Sequence, residues 1–437
     1  MPRVLLLLPT STYRASEFLA AAAQLGVDVV TGSDAPQALA GVMGDHFLEL
    51  DLDDPERAAS VVVAFARRIP LDAVVAVDDR GALVAALASQ RLGLVHNSPE
   101  SVAATRDKSA MRRMLDRGRV AQPPWRLVAA SREHPDATDD KVVAAARSLG
   151  YPVVVKPCTL SGSTGVVRAD DDASARIASR QVRSIMVATG VDADSPLLVE
   201  RFVPGPELAV DGIVRSGALE VLAVFDKPDP LDGPYFEETI YVTPSRLEGG
   251  DLAAVGDLVA AAVRALGLVD GPVHAEVRLP HLAPGTVCRS PDETAADGAA
   301  GACGPVVIEV AARTIGGRCS HALTFANGTS LEQLVVRHAL GLDADTGPLP
   351  PLEQGASGVM MLPIPRSGTL EGVAGLDDAR AVPHVTSVEI AISRGRPVQA
   401  LPEGGRYLGF VFARADTPEE VERALRLAHG MLDVRIV

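Results

Sequence analysis

Val273-His274-Ala275-Glu276-Val277-Arg278-Leu279 (VHAEVRL) is the stretch on which the reading of this chain turns. Polar and apolar residues alternate strictly, and a β-strand sends successive side chains to opposite faces. His274, Glu276 and Arg278 therefore share one face, while Ala275, Val277 and Leu279 pack on the other. A second strand lies in Val306–Arg313 (VVIEVAAR), where Glu309 interrupts an apolar run and Arg313 follows four residues later. A carboxylate in such a strand is costly to bury unless it is paired or bound to a metal. If the two strands are neighbours, Glu276 and Glu309 converge as hard oxygen ligands of the kind that hold magnesium beside substrate phosphates. The plainer alternative is a solvated polar face with Glu309 paired to Arg278.

Upstream, Tyr151–Lys156 (YPVVVK) predicts a strand ending on Lys156, and Leu160–Val166 (LSGSTGV) a small-residue loop. Gly162 and Gly165 permit tight turns, and backbone amides in such a loop can surround phosphate oxygens. No GKS or GKT closes it, so it is not a Walker A loop. A Gly/Ser hairpin turn is the competing explanation, and the preceding Lys weighs against it. Of 41 basic residues only four are Lys (Lys108, Lys141, Lys156, Lys227), leaving 41 − 4 = 37 Arg. A compact ammonium suits a single phosphate oxygen where a guanidinium fork is too large. Next comes Leu197–Val203 (LLVERFV), a strand bearing Glu200. The sharp turn Pro204-Gly205-Pro206 and Glu207 follow, an arrangement that can present backbone groups and a carboxylate to a nucleobase and ribose.

The first hundred residues alternate strand and helix signals: strands at Val4–Leu8, Val27–Val30 and Ala73–Val77, helices at Arg14–Leu25, Pro55–Arg68 and Gly81–Leu92. That is the pattern of a parallel α/β layer. The turn after the first strand reads Pro-Thr-Ser-Thr-Tyr without GxGxxG, which excludes a dinucleotide cradle. Further strands are expected at Glu207–Val214, Gly217–Phe225, Gly358–Leu362, Val385–Ile392 and Tyr407–Arg414, and a Thr417-capped helix at Pro418–Leu432. His281–Gly304 lacks periodicity and reads as an inserted exposed loop.

A length of 437 residues implies two to four domains. The formal charge of −15 excludes nucleic acid and anionic membranes as partners, since both need a basic face. The first apolar run is too short for a signal peptide, and no stretch reaches membrane-spanning length. Cys158, Cys288, Cys303 and Cys319 lack CxxC spacing, so reduced thiols in a cytoplasmic protein are expected. Trp125 reads as packing, His96 and His321 as structural, and Asp51–Asp54 and Asp170–Asp172 as solvated loops. Cys319 has no evident base to make it a nucleophile.

In order along the chain stand GLVHNSPESVAATRDKSAMRRML (93–115), YPVVVKP, SGSTGV, VERFVPGPELAVDG, GPVHAEVRL, VVIEVAARTIGGRCSHALTFANGTSLEQL (306–334) and GFVFARADTPEEVERAL (409–425). Together they resemble the ATP-grasp superfamily, and within it the L-amino-acid ligase branch of carboxylate–amine ligases. The resemblance implies an α/β (α+β) ATP-grasp fold in three parts. These are an N-terminal parallel α/β domain (1–104), a nucleotide-binding domain (105–345, lid about 150–212) and a C-terminal mixed α/β domain (346–437). It implies ATP and Mg2+, or Mn2+ in its place, as cofactors. Lys108 and Lys156 would hold the phosphates under a lid of Ser161, Gly162, Ser163, Gly165 and Val166. Glu200 with Phe202 and Val203 would meet the adenine, Glu207 the ribose, and Glu276 and Glu309 the metal. Arg313 would lie beside the transferring phosphoryl group, with His274 positioning the intermediate. Lys227 and Glu237-Glu238 would border the acceptor site.

The implied reaction joins a small-molecule carboxylate to an amine, both amino acids, through an acyl phosphate; homodimers are compatible with it. The alternatives are another ATP-grasp activity, such as an ATP-dependent carboxylase, and a non-catalytic nucleotide-binding protein. One departure stands out: where relatives carry Asn two residues after the second metal Glu, this chain has Ala311, and one metal ion loses a side-chain ligand.

Overall fold

The computed structural model describes all residues except 11, 36–43, 284–303 and 343–348. The N-terminal strands β1 (Arg3–Leu7), β2 (Asp28–Ser33), β3 (Phe47–Glu49) and β4 (Ala73–Ala76) form a parallel sheet in the order β3-β2-β1-β4. β1 explains why: Val4 to Leu7 are all completely buried, as a central parallel strand requires. Its period of two splits them between two cores. Leu5 and Leu7 pack with Val62 and Phe65 on one side. Val4 and Leu6 pack on the other with Val335 and Val336 from the helix Leu331–Ala339. A distant part of the chain thus covers one face of the first sheet, and buried Arg14 donates to Glu332 of that helix at 3.0 Å.

The next strands, β5 (Trp125–Val128), β6 (Val153–Pro157), β7 (Val167–Ala169) and β8 (Leu197–Arg201), form an antiparallel sheet in the order β5-β8-β6-β7. The helices Pro135–Leu149 and Asp172–Ala188 pack on it through a core that includes Val142, Val182 and Val199. Asp54 caps the helix Pro55–Ala66, Asp171 caps Asp172–Ala188 in a capping box, and Asp172 binds Arg147. The two Asp runs expected to be plain solvated loops therefore start helices, because a carboxylate there satisfies otherwise unpaired N–H groups.

An eight-stranded antiparallel sheet forms the centre. It is built from β9 (Glu207–Arg215), β10 (Ala218–Lys227), β11 (Ile240–Thr243), β12 (Gly271–Arg278) and β13 (Val306–Ala311), joined by strands of the C-terminal segment. That segment contributes β14 (Ala356–Leu362), β15 (Gly368–Ala374), β16 (Val385–Ile390), β17 (Pro397–Val398), β18 (Gly409–Ala415) and β19 (Asp433–Ile436). The central order is β13-β12-β9-β10-β11-β14-β18-β16, so hydrogen bonding runs without a break from the Glu309 strand to the C-terminal strands. β17, β15 and β19 make a separate small sheet. The expected insertion at 281–304 falls almost wholly outside the described residues, as do Cys288 and Cys303.

Candidate active site

β12 and β13 are neighbours, and in their antiparallel register Glu276 stands directly opposite Glu309. Residues opposed in this way have Cβ atoms within about 5.5 Å. The strand alternation that placed His274, Glu276 and Arg278 on one face holds, since all three line a single cavity of about 390 Å³. Lys108, Lys156, Ser161, Gly162, Ser163, Val166, Glu200, Phe202, Val203, Glu207, Glu309 and Arg313 line the same cavity. Gly165 is the exception among the expected site residues. Its φ of +72° turns the loop, and its space is bounded by Pro157 rather than by the cavity.

Two of the four lysines line this cavity, and a third pairs with its carboxylates. Lys108 opens the helix Lys108–Arg117, capped by Asp107, and its Nζ lies 2.7 Å from the Leu160 carbonyl and 3.2 Å from Glu309 Oε1. Arg112, one turn on and therefore on the same face, donates to Glu200 at 2.6 Å. Lys156 reaches the other oxygen of Glu200, also at 2.6 Å. Burial pushes the Glu200 carboxyl up, but Arg112 and Lys156 overcome it and hold the group at about 2. Burial likewise draws Lys156 below its ordinary value, with Glu200 opposing. Glu200, expected at the adenine, is thus already occupied with two cations.

Lys227, expected with Glu238 at the acceptor border, is held among three carboxylates. Its Nζ lies 2.7 Å from Glu207, 2.6 Å from Glu238 and 3.1 Å from Glu276. Burial would lower it, yet the three carboxylates raise it well above its ordinary value. One oxygen from each of these glutamates lies within 4.8 Å of the others. Glu207 also accepts from Arg278 at 2.7 Å. The fourth lysine, Lys141, is exposed on the helix Pro135–Leu149.

The turn Val203–Glu207 is as sharp as expected. Gly205 has φ +98°, and a Cβ there would come within 2.2 Å of the Leu279 carbonyl. Only glycine permits this approach. The Phe202 ring lies under the guanidinium groups of Arg168 (4.4 Å) and Arg278 (5.1 Å). Phe202 N–H donates to the Pro152 carbonyl, and the Val203 carbonyl accepts from Arg278.

Sequence reasoning missed two acidic residues. Asp211, inside the apolar β9, approaches His274 Nδ1 at 3.2 Å and accepts the Ile315 amide at 3.1 Å. Asp79, at the mouth of the N-terminal sheet, pairs with Arg313 Nε at 3.0 Å. Burial pushes Asp79 up, but Arg313 more than compensates, so its carboxyl stays below the ordinary range and Arg313 stays charged. The signal for Asp211 was present, because a lone Asp in LAVDGIV needs a buried partner just as Glu309 does. Asp79 gave none, since an acidic residue at a strand end is ordinary. Ala311 stands opposite His274 in the β12–β13 register and lines the cavity, so it adds no side-chain oxygen there.

Beyond Arg313 the wall changes character to Tyr13, Tyr241, Ile315, Gly317, Cys319, Met361 and Tyr407. Burial pushes the Tyr241 and Tyr407 hydroxyls and the Cys319 thiol well up, so all three stay neutral. Cys319 is accordingly no nucleophile. His321 binds Glu17 at 2.7 Å, and Trp125 donates to Asp116 at 3.1 Å; both are structural contacts.

Family models bear on this geometry. The ATP-grasp domain matches residues 149–305, the ATP-grasp N-terminal domain residues 19–95, and the L-amino acid ligase C-terminal domain 2 residues 360–437. The chain belongs to the ATP-grasp superfamily. This ATP-grasp chain is 26% identical over 340 residues to the uncharacterized protein y4rH of Sinorhizobium fredii, covering 77% of itself and 62% of that protein. It is 26% identical over 246 residues to an alanine–anticapsin ligase of Bacillus subtilis, covering 52% of itself and 50% of the ligase. The chain therefore spans between half and two thirds of the length of these curated relatives. Among solved structures, an L-amino acid ligase from Bacillus licheniformis superposes with a TM-score of 0.76 at 25% identity, covering 100% of this chain and 99% of that one. A carboxyaminoimidazole ribonucleotide synthase from Aspergillus clavatus complexed with ATP shares the fold, with a TM-score of 0.70 at 15% identity and 98% and 99% coverage.

Proposed function

We propose that this ATP-grasp protein is an ATP-dependent carboxylate–amine ligase that joins two amino-acid-like substrates through an acyl phosphate. The observation that carries the reading is the convergence of Lys108 and Lys156 with Glu276, Glu309 and Arg313 on one cavity that continues into a neutral wall, with Lys227 paired to Glu276. A carboxylate is a poor acyl donor because oxide would have to leave. Attack of its oxygen on the γ-phosphorus of ATP releases ADP and installs phosphate as a good leaving group. The amine nitrogen then bonds to the acyl carbon, inorganic phosphate departs, and the amine gives up a proton.

This chemistry asks mainly for positioning and for neutralisation of the transferring phosphoryl group. Lys108 and Lys156 would bind phosphate oxygens, and Arg313, held by Asp79, would meet the charge that develops between donor and acceptor. Phe202 and Val203, which line the cavity beside Glu200, would meet the base. Asp211 fixes the His274 ring, orienting it toward the reacting centre.

Glu276 and Glu309 fit a divalent cation, for they are hard oxygen donors opposite each other on adjacent strands, and both line the cavity. A bound magnesium would neutralise phosphate oxygens there. Lysines now fill the role of counter-charge, Lys108 on Glu309 and Lys227 on Glu276. No helix among the described residues is long and apolar enough to cross a membrane. The test is incubation with ATP, magnesium and pairs drawn from an amino-acid pool, reading phosphate release and amide mass together. Phosphate release with bicarbonate but no amide from any pair would move the reading to a carboxylase. ATP binding without turnover would leave a nucleotide-binding protein.

A further inference from the structure

The loop Ser161–Val166 does not stand free over the cavity; it is fastened to the C-terminal segment. Thr164, 8% exposed, donates its hydroxyl to the Gly404 carbonyl at 3.1 Å. The Gly165 amide donates to the Pro402 carbonyl at 3.0 Å. Gln181, on the helix behind the loop, reaches the Glu403 carboxylate at 3.2 Å. The fit is close: a Cβ on Gly405 would lie 2.7 Å from Thr164 Oγ1. Just past the loop, in β7, the Arg168 amide donates to the Pro234 carbonyl at 2.9 Å. Two residues beyond Gly405, Tyr407 forms part of the neutral wall of the cavity. One short turn therefore touches the phosphate loop at one end and the organic half of the cleft at the other.

We propose that the turn Pro402–Gly405 is a latch, with Thr164 and Gly405 as positioning residues that hold the phosphate loop closed in register with the organic half of the cleft. This rests on the ligase reading, because what the latch protects is an acyl phosphate. Such a group survives to meet the amine only if water is excluded. A loose loop would let water take the acyl carbon instead, and phosphate would be released without amide. The position of Tyr407 gives an organic substrate a route to the latch: pressure on the Tyr407 wall shifts the same turn that holds Gly165.

Two measurements on the full-length chain test it. Hydrogen exchange of the Gly165 amide, without nucleotide, reads the latch directly. Thr164→Val keeps the side-chain shape and removes one neutral hydrogen bond, which predicts exchange about three- to tenfold faster. Thr164→Ser keeps the hydroxyl and is expected within about twofold of wild type by the same reckoning. Gly405→Ala, which drives a methyl group at Thr164, should exchange at least as fast as Thr164→Val. In turnover, measured well below the melting temperature of each variant, the ratio of phosphate released to amide formed should rise severalfold in Thr164→Val and Gly405→Ala. Equal exchange in wild type and Thr164→Val overturns the latch, as does a ratio that stays at the wild-type value while both products fall together. If wild type makes no amide from any pair, the ligase reading fails, and the exchange result still decides whether the latch exists.

Discussion

Around Glu276 the cleft wall is an alternating lattice of charges: Lys108 on Glu309, Lys156 and Arg112 on Glu200, and Lys227 among Glu207, Glu238 and Glu276. Toward Tyr407 the same wall holds Tyr241, Ile315, Cys319 and Met361, with hydroxyls and thiol kept neutral by burial. The contrast separates what is general from what is particular. A triphosphate and its cation present the same charges to any enzyme, so a fixed set of residue types answers them. An organic side chain is recognised by shape, and shape is set by whichever apolar groups happen to face inward.

The contrast can be broken most severely at Glu309. Glu309→Gln should lower phosphate release by at least about a hundredfold, while the melting temperature moves little, because the residue is partly exposed and its Lys108 pair contributes little to stability. Retained turnover would remove the two-carboxylate centre from the chemistry. Glu200 should behave in the opposite sense. Glu200→Gln leaves Arg112 and Lys156 buried with less counter-charge, at a cost of about 3 kcal/mol in urea unfolding, whatever it does to activity. An unchanged unfolding midpoint would show that the triad is not structural.

The same carboxylate gives a pH test. Its folded value of about 2 lies below the ordinary 4.5, so its stabilisation is complete above 4.5 and is lost as pH falls toward 2. Wild-type stability should fall across that window, and Glu200→Gln should fall less steeply. The smallest effect is expected in the neutral half. Met361, with Cys319 Sγ 4.0 Å from its sulfur, fills the floor there. Met361→Ala should alter KM for one organic substrate by about tenfold and leave KM for ATP unchanged. A change in the ATP constant instead would show that the two halves are not separable.

Much of the charged half was legible beforehand. The HAEVR alternation put His274, Glu276 and Arg278 on one face, and the family resemblance pointed to Lys108 and Lys156, two of only four lysines. The N-terminal parallel sheet was equally plain from the apolar run of its first strand. The carboxylates around Lys227 are not legible in the sequence, because its three partners lie 11, 20 and 49 residues away. That Gly165 of the expected lid faces Pro157 is not legible either, because a glycine's neighbours cannot be deduced from its own identity.

By itself the sequence determined strand faces, the Thr417 helix cap and the ATP-grasp family. These follow from repeats of two and 3.6 residues fixed by backbone geometry, and from residue types that phosphate and metal chemistry demand. Only the tertiary structure decided that Asp79 would hold Arg313, that Asp211 would hold His274, and that the turn at 402–405 would clasp the phosphate loop. Such contacts join segments of the chain up to 240 residues apart. Their geometry depends on how separate sheets pack, and no local pattern encodes that.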